Sequence, residues 1–259
     1  MSAARHAFIT GAGSGIGRAI ALALAQSGHV VSLAGRRAGP LEEVAGEITA
    51  SGGRSVVIDG FDVTDAAAIA AGSGRAIAAF GEISVLVNCA GEAPSAPFER
   101  TDAALWARVI GINLTGTFLV TQALLPSIRK AGKGRIVNVA STAGLTGYAY
   151  VSAYCASKHG VVGLTRALAL ELARTDVTVN AVCPGFTDTP LLDGAVDTIV
   201  GKTGRTADEA RASLARANPQ GRLVTPQEVA DAVLWLASEG AGAITGQAIA
   251  VAGGEVMAG

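Results

Sequence analysis

Cysteine is scarce in this 259-residue chain: Cys89, Cys155 and Cys183 are far apart and form no Cys-x-x-Cys pair. That pattern excludes a disulfide framework and a zinc site. The three histidines, His6, His29 and His159, are equally scattered, and no metal site is expected. Excess charge is missing too, with 20 Lys and Arg against 21 Asp and Glu for a net charge of −1. So even a balance argues against a nucleic-acid groove or a surface for anionic membranes. No apolar run is read as reaching the roughly 18 residues of a membrane helix. The opening MSAARHAFITGAG has no long apolar stretch ending at a small-residue cleavage site. A cytoplasmic protein with no nucleic-acid and no membrane partner is therefore expected. No Pro- or Ser-rich linker and no repeat divides the chain, so a single domain over 1–259 is expected.

What the chain has is apolar residues, 50% of the total, and 34 glycines, nearly twice the usual share of about 7%. The first excludes wholesale disorder. The second, without a Gly-X-Y period, points to turns and close backbone approaches. Short β-branched runs alternate with longer Ala/Leu-rich segments. Strands are predicted at 7–10, 30–34, 56–62, 83–88, 135–140, 177–182 and 247–251. Helices are predicted at 18–27, 41–51, 65–80, 105–128 and 152–174. This alternation implies an α/β fold with a doubly wound parallel sheet and helices on both faces. Between 185 and 221 no clear strand is seen. There Thr206-Ala-Asp-Glu209 reads as a capping box opening a helix over 207–217, and Thr225-Pro226-Gln-Glu228 opens another running to about Ser238. The stretch 186–221 is read as a substrate-covering insertion, because long segments between core elements are uncommon unless functional.

FITGAGSGIGRAIALALA reads as strand, glycine loop and helix. Backbone amides at a helix N-terminus make a pyrophosphate site. The spacing is GxxxGxG through Gly11, Gly15 and Gly17. GxGxxG fails, since Ile16 stands where it needs glycine, and the phosphate loop GxxxxGK fails as well. The second strand ends in Leu33-Ala34-Gly35-Arg36-Arg37. An acid there would accept from a ribose 2′-OH, whereas arginine receives a 2′-phosphate, so NADP(H) is favoured over NAD(H). Asp62 is read as ending the third strand, where it could accept from the adenine amine or cap the next helix. The small residues of Asn88-Cys-Ala90-Gly91, closing the fourth strand, let the chain pass close to the adenosine ribose.

Tyr154 and Lys158 lie four residues apart, on one helical face. A free tyrosine, with a pKa of about 10, is a poor proton shuttle at pH 7. An ammonium a few ångströms away is expected to lower that value and make Tyr154 a usable acid/base. Ser141, thirteen residues earlier, follows directly on a strand whose carboxyl end is the ligand-binding edge of an open α/β sheet. Asn113 is a poor helix former inside a long helical segment, with no evident local reason.

With TGAGSGIG at 10–17, NCAG at 88–91, Asn113 in GINLTG, Ser141, YCASK at 154–158 and NAVCPGFTDTP at 180–190, the chain resembles the short-chain dehydrogenase/reductase family over nearly its whole length. It departs from the family's NNAG motif at Cys89. The resemblance implies a Rossmann-like seven-stranded sheet and a nicotinamide cofactor. That cofactor would be held through Gly11, Ser14, Gly15, Ile16, Gly17, Arg36, Arg37, Asp62, Val63, Asn88, Ala90, Gly91, Tyr154, Lys158, Pro184, Gly185, Thr187 and Thr189. It implies Tyr154 as acid/base, Ser141 polarising the carbonyl, Lys158 holding the nicotinamide ribose and lowering the tyrosine pKa, and Asn113 holding a water. A homotetramer packed through the two long helices is also implied.

Within the family the chain looks most like ketoreductases of 3-oxoacyl thioesters and polyketides. The substrate is therefore expected to be a small-molecule ketone or secondary alcohol, which could be a coenzyme A or carrier-protein thioester. Lys202, Arg205, Arg211 and Arg216 either meet its phosphates or form a solvated face paired with Asp208 and Glu209. An NAD-linked catabolic dehydrogenase is the alternative, and a non-catalytic cofactor sensor a more distant one. The cleft lining is expected from 142–151 and 93–98.

Overall fold

Seven short, fully parallel strands form the centre of the computed structural model, in the order β3-β2-β1-β4-β5-β6-β7. The structure describes residues 4–257; residues 1–3 and 258–259, the ends of the expected 1–259 domain, lie outside it. The strands are β1 (His6–Thr10), β2 (Val30–Ala34), β3 (Arg54–Ile58), β4 (Val85–Asn88), β5 (Arg135–Val139), β6 (Thr178–Pro184) and β7 (Ala248–Val251). Those at the centre are buried on both faces, as their continuous apolar character requires. Helices α1 (Gly15–Gln26), α2 (Ala38–Ala50) and α9 (Pro226–Ala237) enclose one face, with Ile20, Leu24, Leu41 and Val233 in its core. On the other face are α3 (Ala66–Phe80), α4 (Ala103–Ile110), α5 (Gly116–Ala131) and α6 (Ser152–Leu172), closing over Phe8, Leu86, Leu124 and Val179. This is a single Rossmann-like domain. The strand order reverses between β1 and β4, and at such a point a crevice opens beyond the carboxyl ends of the strands.

Most element ends shift by one to three residues from the sequence reading, and three larger departures each have a physical reason. The third strand ends at Ile58, not at Asp62, because Gly60 turns the chain at φ +64°. Asp62 therefore sits in a loop, where its Oδ1 accepts from the backbone N–H and hydroxyl of Thr64 at 2.8 and 2.7 Å. The cap of α3 is Asp65, which accepts from Ala67 and Ala68.

The predicted helix 105–128 is two helices joined by a π-helical turn, Gly111–Thr115, in which the Gly116 N–H reaches back five residues to the Gly111 carbonyl. Such an inserted residue re-aims one side chain. The whole run Ala103–Ala131 is long and apolar enough to cross a membrane by length and composition, contrary to the reading that no such run exists. It packs one face on the sheet, burying Val120, Leu124 and Ile128 there, and leaves Trp106 and Phe118 on the outward side.

The third difference is in the insertion. It holds two helices, α7 (Pro190–Thr203) and α8 (Ala207–Ala215), where the sequence reading has one. Thr189-Pro190 is a cap-and-N1-proline start for α7, masked by its Gly194, Asp197 and Gly201. The two capping boxes predicted at Thr206 and Thr225 both form. Leu192, Val196 and Ala210 give the insertion a small core of its own.

Candidate active site

The carboxyl ends of the strands open on one cleft of about 1160 Å³. Gly11, Gly15, Gly17, Arg36, Arg37 and Asp62 line it at one end, and Ser141, Tyr148, Tyr154, Phe186 and Leu192 at the other. Of the sequence-predicted residues, it also brings in Ser14, Ile16, Val63, Ala90, Gly91, Lys158, Pro184, Gly185, Thr187 and Thr189. Asn88 and Asn113 stand behind the wall. Asn88 is buried, donating to Thr121 Oγ1 and Asn138 Oδ1 at 2.9 Å each.

The glycine loop is tight. A Cβ on Gly17 would stand 2.2 Å from the Gly11 carbonyl oxygen, so only glycine lets the start of α1 close on the end of β1. Ser14 occupies the N-cap without a side-chain cap bond, and the first helical bond runs from Arg18 to Ser14 O at 3.1 Å. The amides of Gly15, Ile16 and Gly17 precede it and have no intrahelical acceptor. That helix end, together with the two guanidiniums at the end of β2, fits a dinucleotide pyrophosphate and a 2′-phosphate. Among the described residues, neither Arg36 nor Arg37 forms an ion pair. Asp62 is held below the usual carboxylate range by its hydrogen bonds to Thr64, with Arg36 adding a smaller pull.

Ser141 ends the run from β5 and caps a short turn by accepting from the Ala143 N–H at 3.1 Å. That turn lies on α6: a Cβ on Gly144 would stand 2.7 Å from the Lys158 carbonyl oxygen. Without a side chain at 144 the serine can stand beside Tyr154. Lys158 is buried, donates to Val139 O at 2.8 Å, and has its Nζ 5.6 Å from the centre of the Tyr154 ring. The expected lowering of the tyrosine pKa is not what the protein alone provides. Burial pushes Tyr154 up to about 12, and the Ser141 hydroxyl offsets part of this. The lysine ammonium faces the ring and Val139, and burial pushes it down to about 8. Burial also pushes the Cys89 thiol up to about 12 and Cys183 to about 11, so neither adds charge to the site near neutral pH.

The π-turn aims Asn113 into the protein, where it is 1% exposed. Its amide pairs with the backbone of Glu92 in both directions, accepting from the N–H and donating to the carbonyl at 2.9 Å each. It also donates to Ser157 Oγ at 3.1 Å, and Ser157 donates on to Tyr154 O. The side chain therefore braces the segment after β4 against α6.

Several lining residues escape the sequence reading. Leu191, Leu192, Ala195, Thr198, Ile199 and Lys202 form one face of α7. The reading places cleft residues at 142–151 and 93–98. Most of these line the cleft, but Phe98 points away and is 79% exposed. Charge enters beyond the expected Glu92 and Glu99, through Arg100 and Lys202. Of the four insertion cations only Lys202 lines the cleft. Arg211 pairs with Asp188 and Asp193 rather than with Asp208 or Glu209.

Comparison with known proteins gives concordant matches. The family described as short chain dehydrogenase matches residues 5–199. Cis-4-hydroxycyclohexanecarboxylate dehydrogenase of Sinomonas cyclohexanicum is 44% identical over 253 residues, covering 97% of this chain and 96% of that protein. A Streptomyces violaceoruber protein named as ketoacyl reductase 1 of the granaticin polyketide synthase is 41% identical, with coverage of 96% and 92%. Among solved structures, a variant of actinorhodin polyketide ketoreductase with NADPH superposes with a TM-score of 0.93 at 39% identity, over 97% of each chain.

Proposed function

This chain belongs to the short-chain dehydrogenase family and is an oxidoreductase acting between hydroxyl and keto groups; on that footing we propose that it is an NADPH-dependent ketone reductase whose substrates are 3-oxoacyl thioesters or related polyketide-like ketones. One observation carries the reading: Ser141, Tyr154 and Lys158 meet on the same cleft as the glycine loop and the Arg36–Arg37 pair. The ketoacyl reductase relatives and the NADPH-bound ketoreductase support it.

A nicotinamide dinucleotide supplies the hydride to the carbonyl carbon when bound, and Gly15, Ile16, Gly17, Arg36, Arg37, Thr187 and Thr189 are the residues to hold it. The protein's own work is on the oxygen. The Ser141 hydroxyl donates to the carbonyl oxygen and fixes its position. The Tyr154 hydroxyl then gives its proton to that oxygen as negative charge develops there. Buried phenol holds that proton tightly, so release depends on the cation of Lys158 one helical turn away. Anchored to Val139, that cation keeps its place and would hold the nicotinamide ribose. Asn113 maintains the distance between the two walls. The apolar face of α7 covers the acyl or ring portion of the substrate, making 186–221 the substrate lobe. Lys202 supports a phosphate-bearing thioester carrier. The outward faces of α4, α5 and α6 expose Trp106, Phe118 and Leu170, which favours a homotetramer.

The test is a panel of cyclic ketones, acetoacetyl-CoA and secondary alcohols assayed at 340 nm with each nucleotide, using wild type and Tyr154→Phe. Ketone reduction preferring NADPH, lost at least a thousandfold in the variant while nucleotide binding persists, is expected. Equal turnover by Tyr154→Phe overturns the mechanism, and a preference for NADH overturns the cofactor assignment.

A further inference from the structure

Tyr148 stands in the cleft wall between the Ser141 turn and α6, with its ring edge-on to Phe186 at 6.0 Å between centroids. Its hydroxyl oxygen lies 2.5 Å from Glu255 Oε1 and 2.8 Å from Thr142 Oγ1. Glu255 comes from the far end of the chain, past β7, and its carboxylate lies against Gly185. Its other oxygen, Oε2, is buried and has no hydrogen-bond partner among the described residues. The acid–base chemistry of Tyr154 uses none of these three side chains.

A proton count gives the arrangement a direction. A phenol carries one proton, and a carboxylate only accepts. The stronger, charge-assisted bond takes that proton, so Tyr148 donates to Glu255. The Thr142 hydroxyl is then left to donate its own proton to the Tyr148 oxygen. Burial and the carboxylate both push the Tyr148 pKa upward, so the phenol keeps its proton. What remains for the cleft is a phenol oxygen with a lone pair and nothing to give.

We propose that Glu255 is a specificity-determining residue acting through Tyr148: by holding the phenol's only proton it turns Tyr148 into an acceptor, and the site selects ketones that carry a hydrogen-bond donor, a hydroxyl or an amide N–H, beside the reacting carbonyl. This rests on the ketone-reductase reading and names the substrate class within it. A substrate with an ether at that position has no proton for the lone pair that Thr142 and Glu255 leave open, and sets two acceptor oxygens against each other. A site built to bond a donor rejects such an analogue.

The experiment compares 2-, 3- and 4-hydroxycyclohexanone with their methyl ethers, in wild type, Tyr148→Phe and Glu255→Gln. For at least one ring position, wild type should prefer the hydroxyketone about tenfold or more in kcat/KM, with the difference in KM. Tyr148→Phe should bring that ratio near one. Glu255→Gln, whose amide can donate to the phenol and release its proton toward the cleft, should reduce the ratio with the fold intact by thermal melting. Calorimetry of the same pairs, with nucleotide present, reads the preference without turnover. Absence of turnover would count against the reductase reading, while the binding ratio still decides the role of Tyr148. No preference at any ring position in wild type, or a preference that survives Tyr148→Phe, overturns the proposal.

Discussion

Lys158 Nζ donates to the backbone carbonyl of Val139 at 2.8 Å, tying α6 to the last residue of β5 through a buried cation. No carboxylate shares that ammonium among the described residues. The lysine is thus held for chemistry at the expense of stability, since an unpaired buried charge is costly.

Replacing Lys158 with methionine should therefore stabilise the nucleotide-free protein while abolishing turnover. Burial pushes the folded-state pKa down to about 8 from an ordinary value near 10.5. Between those values the unfolded chain binds more protons than the native one, so wild-type stability from this group rises with pH from about 8 to 10.5. Below pH 8 the full penalty applies. At pH 7 Lys158→Met should raise the thermal midpoint by several degrees, and the gain should shrink toward pH 10. Thermal melts from pH 6 to 10 measure it. A midpoint below wild type at pH 7 would show that the Val139 bond outweighs the buried charge.

Arg36→Ala should separate the two nucleotides. Among the described residues its guanidinium has no ion-pair partner, and it lines the cleft end where β2 stops. A charge-assisted contact with a 2′-phosphate contributes about 1.5–3 kcal/mol, so the dissociation constant for NADPH should rise about tenfold to a hundredfold. That for NADH should change little. Titration calorimetry with both nucleotides reads the difference, and equal weakening of both would remove Arg36 from the phosphate site.

How far the residues alone carried these conclusions depended on the range of the interaction involved. The glycine loop and the Tyr154–Lys158 spacing were legible because each lies within one helix or one strand–turn–helix unit, where local sequence sets geometry. The two capping boxes were legible for the same reason. The direction of the tyrosine's pKa shift was not, because it depends on how many layers of protein cover the ring. Asn113 looked out of place in a helix, and the π-turn explains why, but its pairing with Glu92 joins segments 21 residues apart. Glu255 was invisible: nothing local distinguishes a glutamate near the end of the chain until the fold sets it against Tyr148, 107 residues earlier. Helix α7 was obscured by its own glycines and aspartates, although its Thr189-Pro190 start was there to read.

Asn113→Ala should damage structure and rate together, by a route distinct from loss of an acid or base. It removes three side-chain hydrogen bonds and strands the backbone N–H and carbonyl of Glu92, which are partly buried. Orphaned groups of this kind cost about 1–3 kcal/mol each when water cannot replace the partner. Urea unfolding should show a loss of about 2–3 kcal/mol. Turnover should fall with the pH profile of the remaining activity unmoved, because Tyr154 and Lys158 keep their own contacts. A shifted profile would instead make Asn113 part of the proton path.

Leu170→Glu tests the assembly. Leu170 is 80% exposed near the end of α6, on the same side of the sheet as Trp106 of α4 and Phe118 of α5, each more than 40% exposed. On an isolated chain, a polar residue at so open a position changes stability by about half a kcal/mol or less. If the outward faces pack copy against copy, the same glutamate is driven into an apolar interface, where its desolvation is uncompensated. Sedimentation or light scattering should find wild type at four times the chain mass and the variant at a lower multiple. The thermal midpoint should fall with it, because association stabilises the folded chain by mass action. A wild-type protein that sediments as a single chain, with Leu170→Glu indistinguishable from it, removes the tetramer from the proposal.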